Sequence, residues 1–139
     1  MEPPNSEILC IDDDDDTREL IKFSFRLADY RVTTCGTAEE GLVQAGRGGF
    51  RAIILDNRFR DSSGELVCQE IRRFDRVTPI VFFSGEARPQ EINKALAAGA
   101  NAYLVKPNDF EKLTETVISL IEKEKNGGDV LSPRRSSKN

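Results

Sequence analysis

The groups able to do chemistry in this chain are carboxylates, a lysine and a few hydroxyls, each set at the end of an apolar run. Ile8-Leu9-Cys10-Ile11 runs into Asp12-Asp13-Asp14-Asp15-Asp16, and Ala52-Ile53-Ile54-Leu55 runs into Asp56. Ile80-Val81-Phe82-Phe83 stops at Ser84-Gly85, and Ala102-Tyr103-Leu104-Val105 runs into Lys106-Pro107. A carboxylate can attack a phosphoryl group and carry it as an acyl phosphate. That transfer is mostly positioning and charge neutralisation, so it needs a metal, a fixed cation and a hydrogen-bond donor around the phosphoryl oxygens. Asp56 is the candidate nucleophile, Lys106 the point charge and Ser84 the hydroxyl. Asp12 and Asp13 abut a buried strand end, where they repel one another unless a cation sits between them, and magnesium is the usual occupant of such a cluster.

Each of these residues also has an ordinary reading. An Asp after an apolar run is most often a turn former or helix cap, and a single lysine is most often solvated. Asp15 and Asp16, with Thr17, suit a helix start, where they cap and complement the dipole. What favours a shared site is that four buried runs end in mutually compatible groups. The absence of histidine narrows the chemistry further. It excludes a Ser-His-Asp or Cys-His triad, a His-ligated metal and self-supply of a phosphohistidine.

The elements that must position these groups alternate along the chain. Four strands are the runs just named; the fifth is Arg31-Val32-Thr33-Thr34-Cys35, whose β-branched, mildly alternating pattern suits a sheet edge. Between them lie helical patterns. The first spans Arg18 to Leu27, with a broad apolar stripe expected to pack on the sheet. The second opens at Thr37-Ala38-Glu39-Glu40, which has capping-box form, and ends in Gly46, Gly48 and Gly49. The third follows Ser62-Ser63-Gly64-Glu65, again with capping-box spacing, and presents Leu66, Val67, Ile71 and Phe74. The fourth runs from about Pro89 to Ala98 and closes on Gly99. The fifth spans about Asp109 to Lys123, with Phe110, Leu113, Val117, Leu120 and Ile121 at helical spacing. Five strands alternating with five helices predict an α/β fold with a doubly wound parallel sheet covered on both faces. In such folds ligands bind beyond the carboxyl ends of the strands, where all the candidate groups lie.

The 139 residues amount to one domain. A net charge of −4 argues against non-specific nucleic-acid or membrane binding. No apolar run approaches the ~20 residues needed to span a bilayer, and no signal peptide heads the chain. Three widely spaced cysteines, Cys10, Cys35 and Cys68, read as small core residues in a reducing cytoplasm. Residues 1–6 read as a disordered leader, 7–125 as the domain, and 126–139, rich in Gly, Ser, Pro and Arg, as a flexible tail.

From Glu7 to Glu124 the chain resembles a receiver domain of the response-regulator family. The resemblance rests on Ile8 to Asp14, on Leu55-Asp56 with Gly64 eight residues on, and on Pro79 to Gly85. It rests also on Ala98 to Pro107 and on Arg18 early in the first helix. It implies a flavodoxin-like strand order of 2-1-3-4-5. It also implies that Asp56 accepts a phosphoryl group from a phosphohistidine on a sensor histidine kinase or histidine phosphotransfer protein. Asp13 would bind Mg2+ directly with Asp56 and the Arg58 backbone carbonyl, and Asp12 largely through water. Ser84 would move toward the phosphoryl oxygen and Tyr103 would swing inward, changing the surface of helix four, strand five and helix five for a downstream protein target. No DNA-binding or enzymatic segment follows Lys125, so a stand-alone regulator is expected, reading out through a protein or relaying phosphate onward.

The departures from the family pattern are Asn57-Arg58-Phe59-Arg60, where an apolar residue, a variable one and Met-Pro are common, and Asn108, where an aromatic is common. Losing the proline is expected to loosen the loop, and Arg58 to place a cation beside the acceptor and alter access of hydrolytic water. A haloacid-dehalogenase-type phosphatase wants a second Asp where Arg58 stands. A flavodoxin-like cofactor binder wants a glycine- and hydroxyl-rich loop where five aspartates stand. A receiver-like module that binds partners without phosphorylation differs only in whether Asp56 takes phosphate.

Overall fold

The computed structural model describes residues 7–125; the predicted leader and tail lie outside them. Five strands, β1 (Glu7–Ile11), β2 (Arg31–Cys35), β3 (Ala52–Leu55), β4 (Ile80–Ser84) and β5 (Ala102–Val105), alternate with five helices. These are α1 (Asp15–Arg26), α2 (Ala38–Arg47), α3 (Gly64–Phe74), α4 (Pro89–Ala98) and α5 (Phe110–Lys125). All neighbouring strands are parallel, in the order β2-β1-β3-β4-β5. The sheet is doubly wound, as the alternation predicts, and β2 is at an edge.

Alternation along the strands divides the core in two. Leu9, Ile11, Ile53, Leu55, Ile80, Phe82 and Tyr103 face α2, α3 and α4, whereas Ile8, Cys10, Ile54, Val81, Phe83 and Leu104 face α1 and α5. β1, β3 and β4 are buried along both faces except at Glu7, which is why they read as continuous apolar runs. All three cysteines are free and buried. Burial raises their thiol pKa values, that of Cys68 to about 11, which leaves them protonated and unreactive.

Helix boundaries follow their caps. α1 starts at Asp15, three residues before the Arg18 expected, because Asp14 is the N-cap and accepts from the Thr17 amide at 2.9 Å. Its broad stripe does not pack as expected. Ile21 and Phe25 are buried, but Leu20, Phe23 and Leu27 stand 50%, 55% and 73% exposed, since one helix can turn only a narrow face onto a flat sheet. Thr37 caps α2 through the Glu40 amide (3.1 Å). That helix continues through Gly46 and ends at Gly48, whose φ of 77° suits glycine. At α3 the cap is Ser63 rather than Ser62, bonded to the Leu66 amide at 3.2 Å, so Glu65 falls one position short of a capping box.

A buried arginine the sequence reading missed ties the far end of the sheet. Arg72 donates to the carbonyls of Gly99, Asp75 and Thr78 and to the Asn101 side chain. It thereby joins the end of α3 to the turn before β4 and the turn before β5.

Candidate functional site

Strand register builds the site. Ile11 pairs with Leu55, so Asp12 and Asp56 leave the sheet side by side, their backbones held by Asp12 N–H to Cys35 O and Asp56 N–H to Ile11 O, both 3.0 Å. Ser84 pairs with Val105, and the Lys106 amide donates to Ser84 O at 2.9 Å. The helices that cross the two faces start just beyond these strand ends. The polar groups therefore all leave the sheet at its carboxyl edge.

Carboxylate oxygens of Asp12, Asp13 and Asp56 lie within 4.8 Å of one another. Asp12 and Asp56 are buried; Asp13 is exposed. Lys106 Nζ lies 2.9 Å from Asp12 Oδ2 and 3.3 Å from Asp56 Oδ2, and 5.9 Å from the centroid of the Phe83 ring. Burial and the charge of Asp56 raise the Asp12 pKa, against the opposing pull of the Asp14 amide and Lys106. Burial works to lower the Lys106 pKa, but its contacts with Asp12 and Asp56 outweigh it and the net shift is upward. The remaining Asp56 oxygen, Oδ1, accepts the adjacent Asn57 amide at 2.7 Å. Arg18 donates to the Asp12 carbonyl at 2.7 Å and pairs with Asp15, steadying the acidic loop. Three clustered carboxylate oxygens with one side open to water are a donor set suited to a hard divalent cation such as Mg2+.

Gly64 makes this packing possible. A Cβ there would lie 2.3 Å from the Asp56 carbonyl oxygen and 2.7 Å from Phe82, so α3 can start against the end of β3 only with glycine.

Ser84 is buried, and its hydroxyl accepts the Glu86 amide at 3.2 Å. Tyr103 is fully buried and already inside. Its hydroxyl donates to Glu86 O at 2.7 Å and accepts from Asn57 Nδ2 at 3.3 Å, and its ring stacks on Phe82 at 5.4 Å. The inward swing expected of it needs an outward starting position, and the structure describes the inward one.

The loop after Asp56 departs from expectation. Without proline it is nonetheless held. Gly64 N–H donates to Asn57 O at 2.9 Å and Phe59 N–H to Ser62 O at 3.1 Å, and Phe59 packs against the core. The Arg58 guanidinium pairs with Glu86, 2.8 Å away. Glu86 also accepts Arg88 Nε (2.8 Å) and Nη2 (2.9 Å); Arg88 first, and Arg58 after it, hold its carboxyl far below the usual carboxylate range. Glu86 and the Asn57 side chain escaped the sequence reading. A signal existed for the former: Arg58 and Glu86, of opposite charge, each stand two residues past a site group on neighbouring strands.

A doubly wound parallel sheet with an acidic cluster and a lysine at its carboxyl edge defines the class: a flavodoxin-like domain with a carboxylate site whose donor set suits a divalent cation. The family model of the response regulator receiver domain matches residues 8–118, and the chain belongs to that family. Over 135 residues, 97% of this chain and 44% of the relative, it is 29% identical to the transcriptional activator protein PfeR of Pseudomonas aeruginosa. A CheY-like receiver domain protein from Methanospirillum hungatei shares the fold with a TM-score of 0.83 at 24% identity, over 88% of this chain and 98% of that one. The receiver domain of the sensor histidine kinase PA1611 from Pseudomonas aeruginosa, whose structure holds a magnesium ion in its active-site cleft, superposes with a TM-score of 0.76. It is 29% identical, covering 84% of this chain and 97% of that one. The chain spans about half the length, or less, of the first curated relatives it matches.

Proposed function

We propose that this chain is a phospho-accepting signalling switch in which Asp56 takes a phosphoryl group from a phosphohistidine on a sensor histidine kinase or histidine phosphotransfer protein. The observation that carries the reading is the Lys106 ammonium seated between Asp12 and Asp56 beside a third carboxylate, Asp13. A carboxylate oxygen of Asp56 attacks phosphorus, the P–N bond to the imidazole breaks, and its electron pair leaves with the nitrogen. Lys106, already within reach of Asp56, shares its charge with the phosphoryl oxygens, and the Ser84 hydroxyl turns from the Glu86 amide to donate to one of them. Asp12, Asp13, Asp56 and the Arg58 carbonyl are the proposed holders of Mg2+, whose charge offsets that of the phosphoryl group. Loss of the Ser84–Glu86 contact loosens the loop whose carbonyl holds Tyr103. That carries the change to α4, β5 and α5, the surface proposed for a downstream protein target. No described helix is long and apolar enough to cross a membrane, and three free cysteines suit a reducing compartment such as the cytoplasm.

The test is intact mass after incubation with acetyl phosphate and Mg2+. The parent is expected to gain one phosphoryl group and Asp56→Ala none. No gain in a parent that binds Mg2+, or an equal gain in the variant, refutes the assignment.

A further inference from the structure

The acceptor loop, residues 57–63, is fastened on two opposite sides by carboxylates. On one side the loop supplies the carboxylate itself. Asp61 reaches across to the start of α2, where Oδ1 accepts the Ala38 amide at 3.1 Å and Oδ2 the Glu39 amide at 3.2 Å. Those amides, with the Glu40 amide held by Thr37, are donors that helix geometry leaves unpaired. Their hydrogen bonds lower the Asp61 pKa, so the anchor is charged at neutral pH. On the other side Arg58 is caught at 2.8 Å by the carboxylate of Glu86, which Arg88 also holds, while the Glu86 backbone amide, on the β4–α4 loop, donates to the Ser84 hydroxyl.

We propose that Asp61 and Glu86 are positioning residues for the phosphoacceptor, doing by two polar anchors what a rigid ring does in a loop containing proline. The inference rests on Asp56 as acceptor. The link to the acceptor is direct: Asp56 Oδ1 is oriented by the Asn57 amide, the first N–H of the loop, so a loop free to shift no longer fixes that oxygen. The same movement displaces the Arg58 carbonyl. A second consequence is that α2 and the β4–α4 loop are joined through the acceptor loop.

Asp61 also serves as a cap for α2, and a merely structural role must be told from a positioning one. Thr37→Ala supplies the control, because it removes a cap from the same helix end without touching the loop. Amide hydrogen exchange is measured by mass on peptides covering 57–64 and the first turn of α2, together with the initial rate of phosphorylation by acetyl phosphate and Mg2+. Asp61→Ala is expected to speed exchange several-fold in both segments and to slow phosphorylation several-fold. Thr37→Ala is expected to speed exchange in α2 alone and to leave the phosphorylation rate at the parent value. Arg58→Ala, which frees the second anchor from its exposed side, is expected to speed exchange in 57–64 and not in α2; Glu86→Gln should match it there. Parent exchange rates in 57–64 for Asp61→Ala, or an equal slowing of phosphorylation by Thr37→Ala, overturns the proposal. A parent that takes no phosphoryl group refutes the acceptor assignment instead, while the exchange comparison still decides whether the anchors hold the loop.

Discussion

Replacing Lys106 with methionine removes the ammonium that bridges Asp12 and Asp56 and keeps an unbranched apolar side chain of similar length. With Nζ at 2.9 Å and 3.3 Å from the two carboxylates, each attraction amounts to about 5–6 kcal/mol gross at an effective dielectric constant of ~20. Desolvation of the three groups cancels much of this, and breaking a buried pair from one side typically costs about 3–5 kcal/mol. Lys106 retains some solvent contact, so we expect Lys106→Met to lose about 3 kcal/mol at pH 7 without divalent cations. With a urea m-value of roughly 1–3 kcal/mol/M, that is a fall in midpoint of about 1–3 M. The sign of the pH dependence follows from the shifts. Lys106 is raised in the folded state, so its contribution is complete below its unfolded pKa and is lost only as strongly alkaline pH deprotonates it. Asp12 is also raised, which means folding favours its protonated form, all the more once the ammonium is gone. The gap between parent and variant should therefore narrow as pH falls toward the carboxylate range. It should narrow as well on adding Mg2+, which replaces the missing charge. Urea melts followed by far-ultraviolet circular dichroism, at pH 7 and pH 5 with chelator or Mg2+, check this. Equal midpoints at pH 7 in chelator, or a gap unchanged by both acid and Mg2+, would refute the electrostatic account.

Two further perturbations probe the scaffold. Gly64→Ala puts a methyl group 2.3 Å from the Asp56 carbonyl oxygen; overpacking of this kind costs about 1–3 kcal/mol or more, and because the displaced atoms belong to Asp56, acetyl-phosphate labelling should slow beyond what the urea midpoint predicts. Arg72→Ala leaves the carbonyls of Gly99, Asp75 and Thr78 without their donor. At about 1–3 kcal/mol for each buried group left unsatisfied, the variant should melt well below the parent in urea, with amide exchange rising first in the turns before β4 and β5.

The sequence by itself determined the order of elements, the two-sided burial of the central strands and the edge position of β2. Each follows from local periodicity and residue type, which act over a few neighbours along the chain. It also pointed to Asp12, Asp13, Asp56, Ser84 and Lys106, because a parallel sheet must deliver the carboxyl ends of its strands to one edge. Only the tertiary structure decided which of these groups touch. Register set Lys106 between Asp12 and Asp56, while Ser84 faces Glu86. It also decided what the acceptor loop does without proline, since the partners of Arg58 and Asp61 lie on the β4–α4 loop and α2, 28 and 23 residues away. The exposure of Leu20, Phe23 and Leu27 likewise depended on how much of α1 the sheet can cover. Periodicity reports that a face is apolar; only the assembled surface across from it fixes how much of that face is buried.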